Sequence, residues 1–321
     1  MRRGFFLTFN QVNLIINKVS YNVRIPEAFC IKEGQEALDR TIKSLESRSR
    51  RYYIPEEELI GKQDVVNTLY DKGWYKATGM FSDKIDTIDK IKEKLDYYLD
   101  QGGDTCKYGL LQGDKRLPQS EVRDKELFMS VKQPLYNVPE IADILFDDRI
   151  LSIAKSYFKC MPAVGTLNLR KSFANDLPNA QTTMYHCDRN SPYMLKFFLY
   201  LNDVEETEDG PFTYVEGSAY QKPQGWLQNH RVPDEQIERI YGKERIKPLL
   251  AKKGDLLTAI TTGYHKGQKV KSKDRSMLTL NFVCAPEDWS VKTQYDIKAE
   301  SCVKLAEENK LPLIDFLYVV E

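Results

Sequence analysis

At Pro162 the texture of the chain changes. Beyond it, short apolar runs recur between turn residues, over 163–171, 184–188, 194–201, 211–216, 255–260 and 276–283. Runs of this length are too short for core helices and read as strands. Ahead of Pro162 the period is helical instead. Ile85, Ile88, Ile91, Leu95 and Leu99 fall on one stripe, with Ser82 placed as an N-cap. A helical pair over 139–158 turns Ile141, Ile144, Leu145, Ile150, Leu151, Ala154 and Phe158 inward. Helices in front of many short strands predict an α+β, mainly β fold, a jelly-roll sandwich or barrel backed by helices.

The expected organisation follows from these patterns. Residues 1–61 form a partly helical N-terminal extension, and 62–290 form the main domain. That domain divides into a helical front over 62–161 and a jelly-roll core over 162–290. An insertion at 219–250 carries a short helix over 233–241, stopped by Gly242, and its length near a barrel mouth predicts a lid. Residues 291–321 are expected to be a helical tail.

Charge and cysteine usage exclude several function classes. Lys plus Arg number 47 and Asp plus Glu 47, so the chain lacks the basic excess of a dedicated nucleic-acid or membrane-surface binder. The one dense basic cluster, Arg48-Ser49-Arg50-Arg51, reads as a solvated turn. Six scattered cysteines form no Cys-x-x-Cys pair, which predicts reduced thiols and a cytoplasmic setting. Met1-Arg2-Arg3 ahead of Phe5-Phe6-Leu7 opens like a signal peptide, but Asn10, Gln11, Asn13 and Asn17 interrupt the apolar stretch. The expected partner is a small-molecule substrate, with no nucleic acid, no membrane and no obligate protein partner.

The chemistry concentrates in two of the three histidines. His186-Cys187-Asp188 places an imidazole and a carboxylate on one face of a strand, because side chains alternate, and turns Cys187 away. With 3 histidines and 47 acids in 321 residues, such a triplet arises by chance in roughly four of ten chains of this composition, so it needs support. His265, just after the turn Thr261-Thr262-Gly263-Tyr264, can supply a third ligand, and two imidazoles with one carboxylate suit non-haem Fe(II). Catalytic zinc accepts the same set. Arg275 heads the apolar strand 276–283, where a guanidinium is costly to bury without an anion. Two anions compete for it: a structural carboxylate such as Asp274 or Glu216, or a dicarboxylate co-substrate held bidentately. His230 reads as a surface residue and Trp226 as packing, a lid tryptophan being the alternative. Tyr185 and Lys196 read as packing and surface charge, and Cys187 as an inert core thiol.

Several motifs together resemble the phytanoyl-CoA dioxygenase family of Fe(II)/2-oxoglutarate oxygenases. In the front half these are Tyr70-Asp71-Lys72-Gly73-Trp74, Gly79-Met80-Phe81-Ser82 and Asp147-Asp148-Arg149-Ile150-Leu151. In the back half they are His186-Cys187-Asp188, Asp209-Gly210-Pro211 through Gly217-Ser218, Lys253-Gly254-Asp255-Leu256, His265 and Arg275. The resemblance covers about 62–288 and implies a double-stranded β-helix, cupin-like, with His186, Asp188 and His265 as iron ligands. It implies Fe(II), 2-oxoglutarate and O2 as cofactor and co-substrates, with Arg275 on the distal carboxylate of 2-oxoglutarate. Asn168 and Thr213 are further candidates for co-substrate contacts. Two departures stand out: Gly217-Ser218 continues with Ala219 where the family usually has histidine, and Met277 replaces a hydroxyl that some relatives keep. Related halogenases replace the acidic ligand with a small residue, so Asp188 points to hydroxylation.

Overall fold

The computed structural model describes residues 60–110, 116–189, 193–223 and 230–283, with Ile54, Trp226, residues 42–43 and the strand segments 6–7, 9–16, 19–26, 295–298 and 317–320. Its helical front holds α1 (Gln63–Lys72), α2 (Ile85–Gln101), α3 (Ile141–Leu145) and α4 (Asp148–Phe158). In α2 the stripe Ile88, Ile91, Leu95 and Leu99 is fully buried, as its spacing predicts. Burial of each such side chain stabilises the fold by about 1.5–3 kcal/mol relative to exposure. Ser82 does not cap α2 but opens a single 3-10 turn, Ser82–Lys84, with no side-chain cap bond. A true cap starts α4, where the Asp147 carboxylate accepts from the Arg149 amide at 2.9 Å. Arg149 also bonds Asp83 and the Met80 carbonyl and lies over the Phe81 ring, tying α4 to the turn that leads into α2.

The strands of the domain are β1 (Trp74–Ala77), β2 (Cys106–Tyr108), β3 (Phe128–Val131), β4 (Ala163–Ser172), β5 (Met194–Tyr200), β6 (Phe212–Val215), β7 (Ile246–Leu249), β8 (Leu256–Ala259), β9 (His265–Gly267) and β10 (Arg275–Val283). Seven make a large antiparallel sheet in the order β1-β8-β5-β10-β4-β3-β2, and three make a small one in the order β7-β6-β9. Two sheets of crossing connectivity with helices on one side are the expected jelly roll, open and not a closed barrel.

Every residue of β10 is buried, although antiparallel strands usually alternate between core and solvent. The packing explains it. Leu278, Leu280 and Phe282 join Leu167, Leu169, Leu195, Phe197 and Leu199 against the helices. On the opposite face, Met277 joins Phe198, Tyr200, Phe212, Tyr214 and Leu257 between the two sheets. This inner layer surrounds the site.

Several expectations about the periphery are corrected. The 219–250 insertion does contain the helix α5 (Asp234–Tyr241), ended at Gly242, but it packs as a separate cluster in which Ile237 and Tyr241 meet Tyr185, Val215, Trp226 and Tyr264. In the expected helical tail, the described residues are two short parallel-paired strands, Tyr295–Lys298 and Leu317–Val320. In the extension residues 42–43 are helical, while Phe9–Ile16 and Val19–Pro26 pair as an antiparallel hairpin and Phe6–Leu7 pairs with Lys222–Pro223. The basic cluster at 48–51 lies outside the described residues. Among the described residues no helix is long and apolar enough to cross a membrane.

Candidate metal and co-substrate site

His186 and His265 form an isolated antiparallel bridge, each amide donating to the other's carbonyl at 2.9 Å. The Asp188 amide adds a bond to the Thr261 carbonyl at 2.9 Å, so the two ligand-bearing segments are stitched together by backbone alone. One candidate ligand atom from each of His186, Asp188 and His265 lies within 4.8 Å of the others. The imidazole centroids stand 4.3 Å apart, and His265 Nε2 is 3.6 Å from Asp188 Oδ2.

The tautomers are settled by the carbonyls behind the rings. His186 Nδ1 is 2.9 Å from the Met184 carbonyl, and His265 Nδ1 is 2.9 Å from that of Gly263. A carbonyl only accepts, so each Nδ1 carries the proton and each Nε2 lone pair is free for a metal. Burial, reinforced by the neighbouring His186, pushes His265 down to about 3, and burial likewise lowers His186. Both rings are therefore neutral near pH 7. Burial raises the Asp188 carboxyl, but Lys196 and the two imidazoles outweigh it and hold the group well below the usual carboxylate range.

Behind His265, Ser218 Oγ donates to the Val215 carbonyl and accepts from the Tyr264 amide at 2.7 Å. The Gly217-Ser218 turn thus sets the strand entry of His265. Tyr214 passes directly beneath Gly263, where an added Cβ would collide with its hydroxyl.

The three residues open onto a cavity of about 330 Å³, at the lower end of the ~300–1,000 Å³ typical of small-ligand sites. Phe198, Phe212 and Met277 supply apolar wall, and Arg275 and Asn168 also line it. Arg275 is 3 % exposed. Its Nη2 donates to Ser172 Oγ at 3.1 Å, while Nε and Nη1 are buried with no hydrogen-bond partner. Neither structural carboxylate expected as an alternative reaches it. Asp274 is engaged by Arg123 and the Ala174 amide, and Glu216 by Trp74 and Lys247.

Other candidates separate cleanly. Asn168 lines the cavity and its Oδ1 accepts from Arg170 Nε at 3.2 Å. Thr213 does not line it: it lies between Phe212 and Tyr214 on β6, whose side chains occupy the inner layer, and alternation turns it to the other face. Trp226 is buried in the outer cluster beneath Arg189 and Lys222, as packing. His230 is exposed, 3.4 Å from Arg189. No described residue of the insertion lines the cavity. Cys187 turns away from the cavity, as alternation predicts, with its sulfur 3.0 Å from the Nζ of buried Lys222.

Lys196 is a cavity-lining residue that sequence reasoning missed. It lines the cavity, and its Nζ lies 2.7 Å from Asp188 Oδ2. The available signal was a lone charge inside Met194-Leu195-Lys196-Phe197-Phe198, the same reasoning that singles out Arg275.

No protein-family model and no curated protein matches the chain. Solved structures do. SnoN, described as a non-heme alpha ketoglutarate dependent epimerase from nogalamycin biosynthesis, matches at 13 % identity and a TM-score of 0.51, over 70 % of this chain and 83 % of SnoN. SnoN in complex with Fe3+, alpha ketoglutarate and nogalamycin RO matches at 13 % identity and 0.50, over 70 % and 84 %. EctD from S. alaskensis, with 2-oxoglutarate and 5-hydroxyectoine, matches at 12 % identity and 0.50, over 68 % and 75 %. This chain shares their fold.

Proposed function

We propose that the chain is an Fe(II)- and 2-oxoglutarate-dependent dioxygenase that hydroxylates a C–H bond of a small organic molecule, consuming O2 and releasing succinate and CO2. The observation that carries this reading is the buried Arg275 with two unpartnered nitrogens in the same cavity as a His-Asp-His cluster. A metal alone answers only half of that arrangement. A dicarboxylate that reaches from the metal to the guanidinium answers both.

The residues present fit the groups. His186 and His265 offer neutral Nε2 donors and Asp188 a carboxylate oxygen, a donor set suited to Fe(II) with further coordination positions left open. Iron and 2-oxoglutarate, when bound, supply the activation of dioxygen. Everything else falls to the protein. Arg275, whose Nε and Nη1 have no other partner and whose Nη2 is fixed by Ser172, would hold the distal carboxylate. Asn168 stands on the neighbouring strand, its Thr279 partner lining the same wall. Phe198 stacks on Phe212 at 4.2 Å and Phe212 packs on His265 at 5.4 Å, which excludes water from one side of the metal position.

Asp188 supports oxygen transfer to carbon, since a carboxylate fills the position that a halogenating site vacates. The small volume supports a small metabolite as substrate. SnoN, which shares this fold, is described as an epimerase, so the fold is not confined to hydroxylation. The test is succinate formation from 2-oxoglutarate by Fe(II)-loaded protein in air, compared with the same protein under nitrogen. Succinate that requires both iron and O2, and disappears in His265→Ala, supports the reading. Its absence in the wild type overturns it, and hydrolytic activity that survives anaerobiosis and iron chelation establishes a zinc enzyme instead.

A further inference from the structure

The cavity carries more positive charge than the proposed metal chemistry uses. Among the described residues four basic side chains line it, Lys107, Arg170, Lys196 and Arg275, against one carboxylate, Asp188. Lys196 is matched by Asp188, and Arg275 by the distal carboxylate of 2-oxoglutarate in the reading above, on which this inference rests. Among the described residues Arg170 and Lys107 are left without an anion.

Arg170 is built into place. It sits on β4 between Asn168 and Ser172, in the register that opposes Met277. Its Nε donates to Asn168 Oδ1 at 3.2 Å, its Nη1 to Thr182 Oγ1 at 3.1 Å, and its guanidinium lies 4.3 Å over the Phe128 ring. These contacts hold the plane of the group but are all neutral. Among the described residues no carboxylate forms an ion pair with Arg170 or Arg275. Burial, with Arg275 nearby adding repulsion, lowers the Arg170 guanidinium to about 10. Buried Arg275 and half-buried Arg170 therefore share one small cavity with neutral partners only among the described residues, and an anion is what relieves each. Lys107, exposed on β2, adds attraction at the same cavity and steers an anion inward.

We infer that the substrate is itself an anion, a small molecule bearing a carboxylate or a phosphate monoester, and that Arg170 is the residue that recognises that group. Arg170 then acts as a fixed anchor that sets which carbon faces the metal. The planar fork, already oriented by Asn168, Thr182 and Phe128, loses little freedom on binding.

The test uses Fe(II)-loaded protein saturated with 2-oxoglutarate under nitrogen, so that Arg275 is already occupied. Matched probes are added at constant ionic strength: phenylacetate against phenylacetamide, and phenyl phosphate against phenol. Binding is read from the thermal melting shift and from perturbation of the visible absorption. At least one acid is expected to bind at least tenfold tighter than its neutral counterpart, and which pair shows the larger ratio separates carboxylate from phosphate recognition. That preference is expected to collapse in Arg170→Gln and return in Arg170→Lys, with 2-oxoglutarate affinity changed less than twofold. An acid preference absent from the wild type, or retained in Arg170→Gln, overturns the inference. A tenfold loss of 2-oxoglutarate affinity in Arg170→Gln also overturns it, by assigning Arg170 to the co-substrate. Failure of the underlying reading shows separately, as no response to 2-oxoglutarate in the wild type.

Discussion

Replacing Arg275 with methionine separates a co-substrate anchor from a structural residue, because the two roles predict opposite signs for stability. In the wild type, Nη2 donates to Ser172 at 3.1 Å while Nε and Nη1 are buried without partners. If those nitrogens hold the distal carboxylate of 2-oxoglutarate, removing them leaves a buried carboxylate unpaired, which costs about 2–5 kcal/mol. That weakens the dissociation constant by about 30-fold to about 4,000-fold. In the absence of co-substrate the sign reverses. Deleting a desolvated, under-bonded guanidinium while keeping an unbranched apolar stem recovers up to about 1–3 kcal/mol. The free variant should therefore melt at or above the wild-type temperature. The assay pairs calorimetric titration of 2-oxoglutarate into Fe(II)-loaded protein under nitrogen with thermal melts of both ligand-free proteins. An affinity within threefold of wild type, together with a lower melting temperature, would refute the reasoning and make Arg275 structural.

Three further outcomes follow from the same geometry. Lys196→Met removes a cation 2.7 Å from the Asp188 oxygen, so divalent-metal affinity should rise at least about tenfold; weaker metal binding would mean instead that the lysine holds Asp188 in its ligand position. Gly263→Ala drives a methyl group into the Tyr214 hydroxyl directly behind His265, so about 1–3 kcal/mol of stability should be lost along with metal affinity, both measurable by urea melts with and without Mn(II). His265 is held at about 3 when folded and titrates near 6.5 when unfolded, so the unfolded chain binds the extra proton between these values. Stability of the metal-free protein should therefore fall as pH drops from about 6.5 towards about 3, at up to about 1.4 kcal/mol per pH unit from this group, and His265→Gln should reduce the slope; an unchanged slope contradicts the assignment.

The metal cluster was legible because strand alternation is a short-range rule. His186 and Asp188 had to share a face, and Arg275 was conspicuous as a charge heading an apolar run. Strand limits were legible for the same reason: β4, β5, β6, β8 and β10 lie within a residue or so of the runs read from sequence. Which face a residue takes depends on register, and register is a long-range property. Sequence alone therefore admits Thr213 to the site, although Phe212 and Tyr214 hold the inner face. Lys196 and Arg170 were overlooked although each is a charge within an apolar strand. The insertion misled in another way. Its length suggests a lid, but its described apolar residues Ile237, Tyr241 and Trp226 find their partners in Tyr185, Val215 and Tyr264, none of which lines the cavity.

The joint occupancy of the site by Fe(II) and 2-oxoglutarate is most directly tested by visible absorption. Fe(II) is added anaerobically to the metal-free wild-type protein, followed by 2-oxoglutarate. A metal-to-ligand charge-transfer band is expected to appear only when both are present and to saturate at one 2-oxoglutarate per iron. A solution that stays colourless with both in excess would contradict the assignment of this cavity to iron and 2-oxoglutarate.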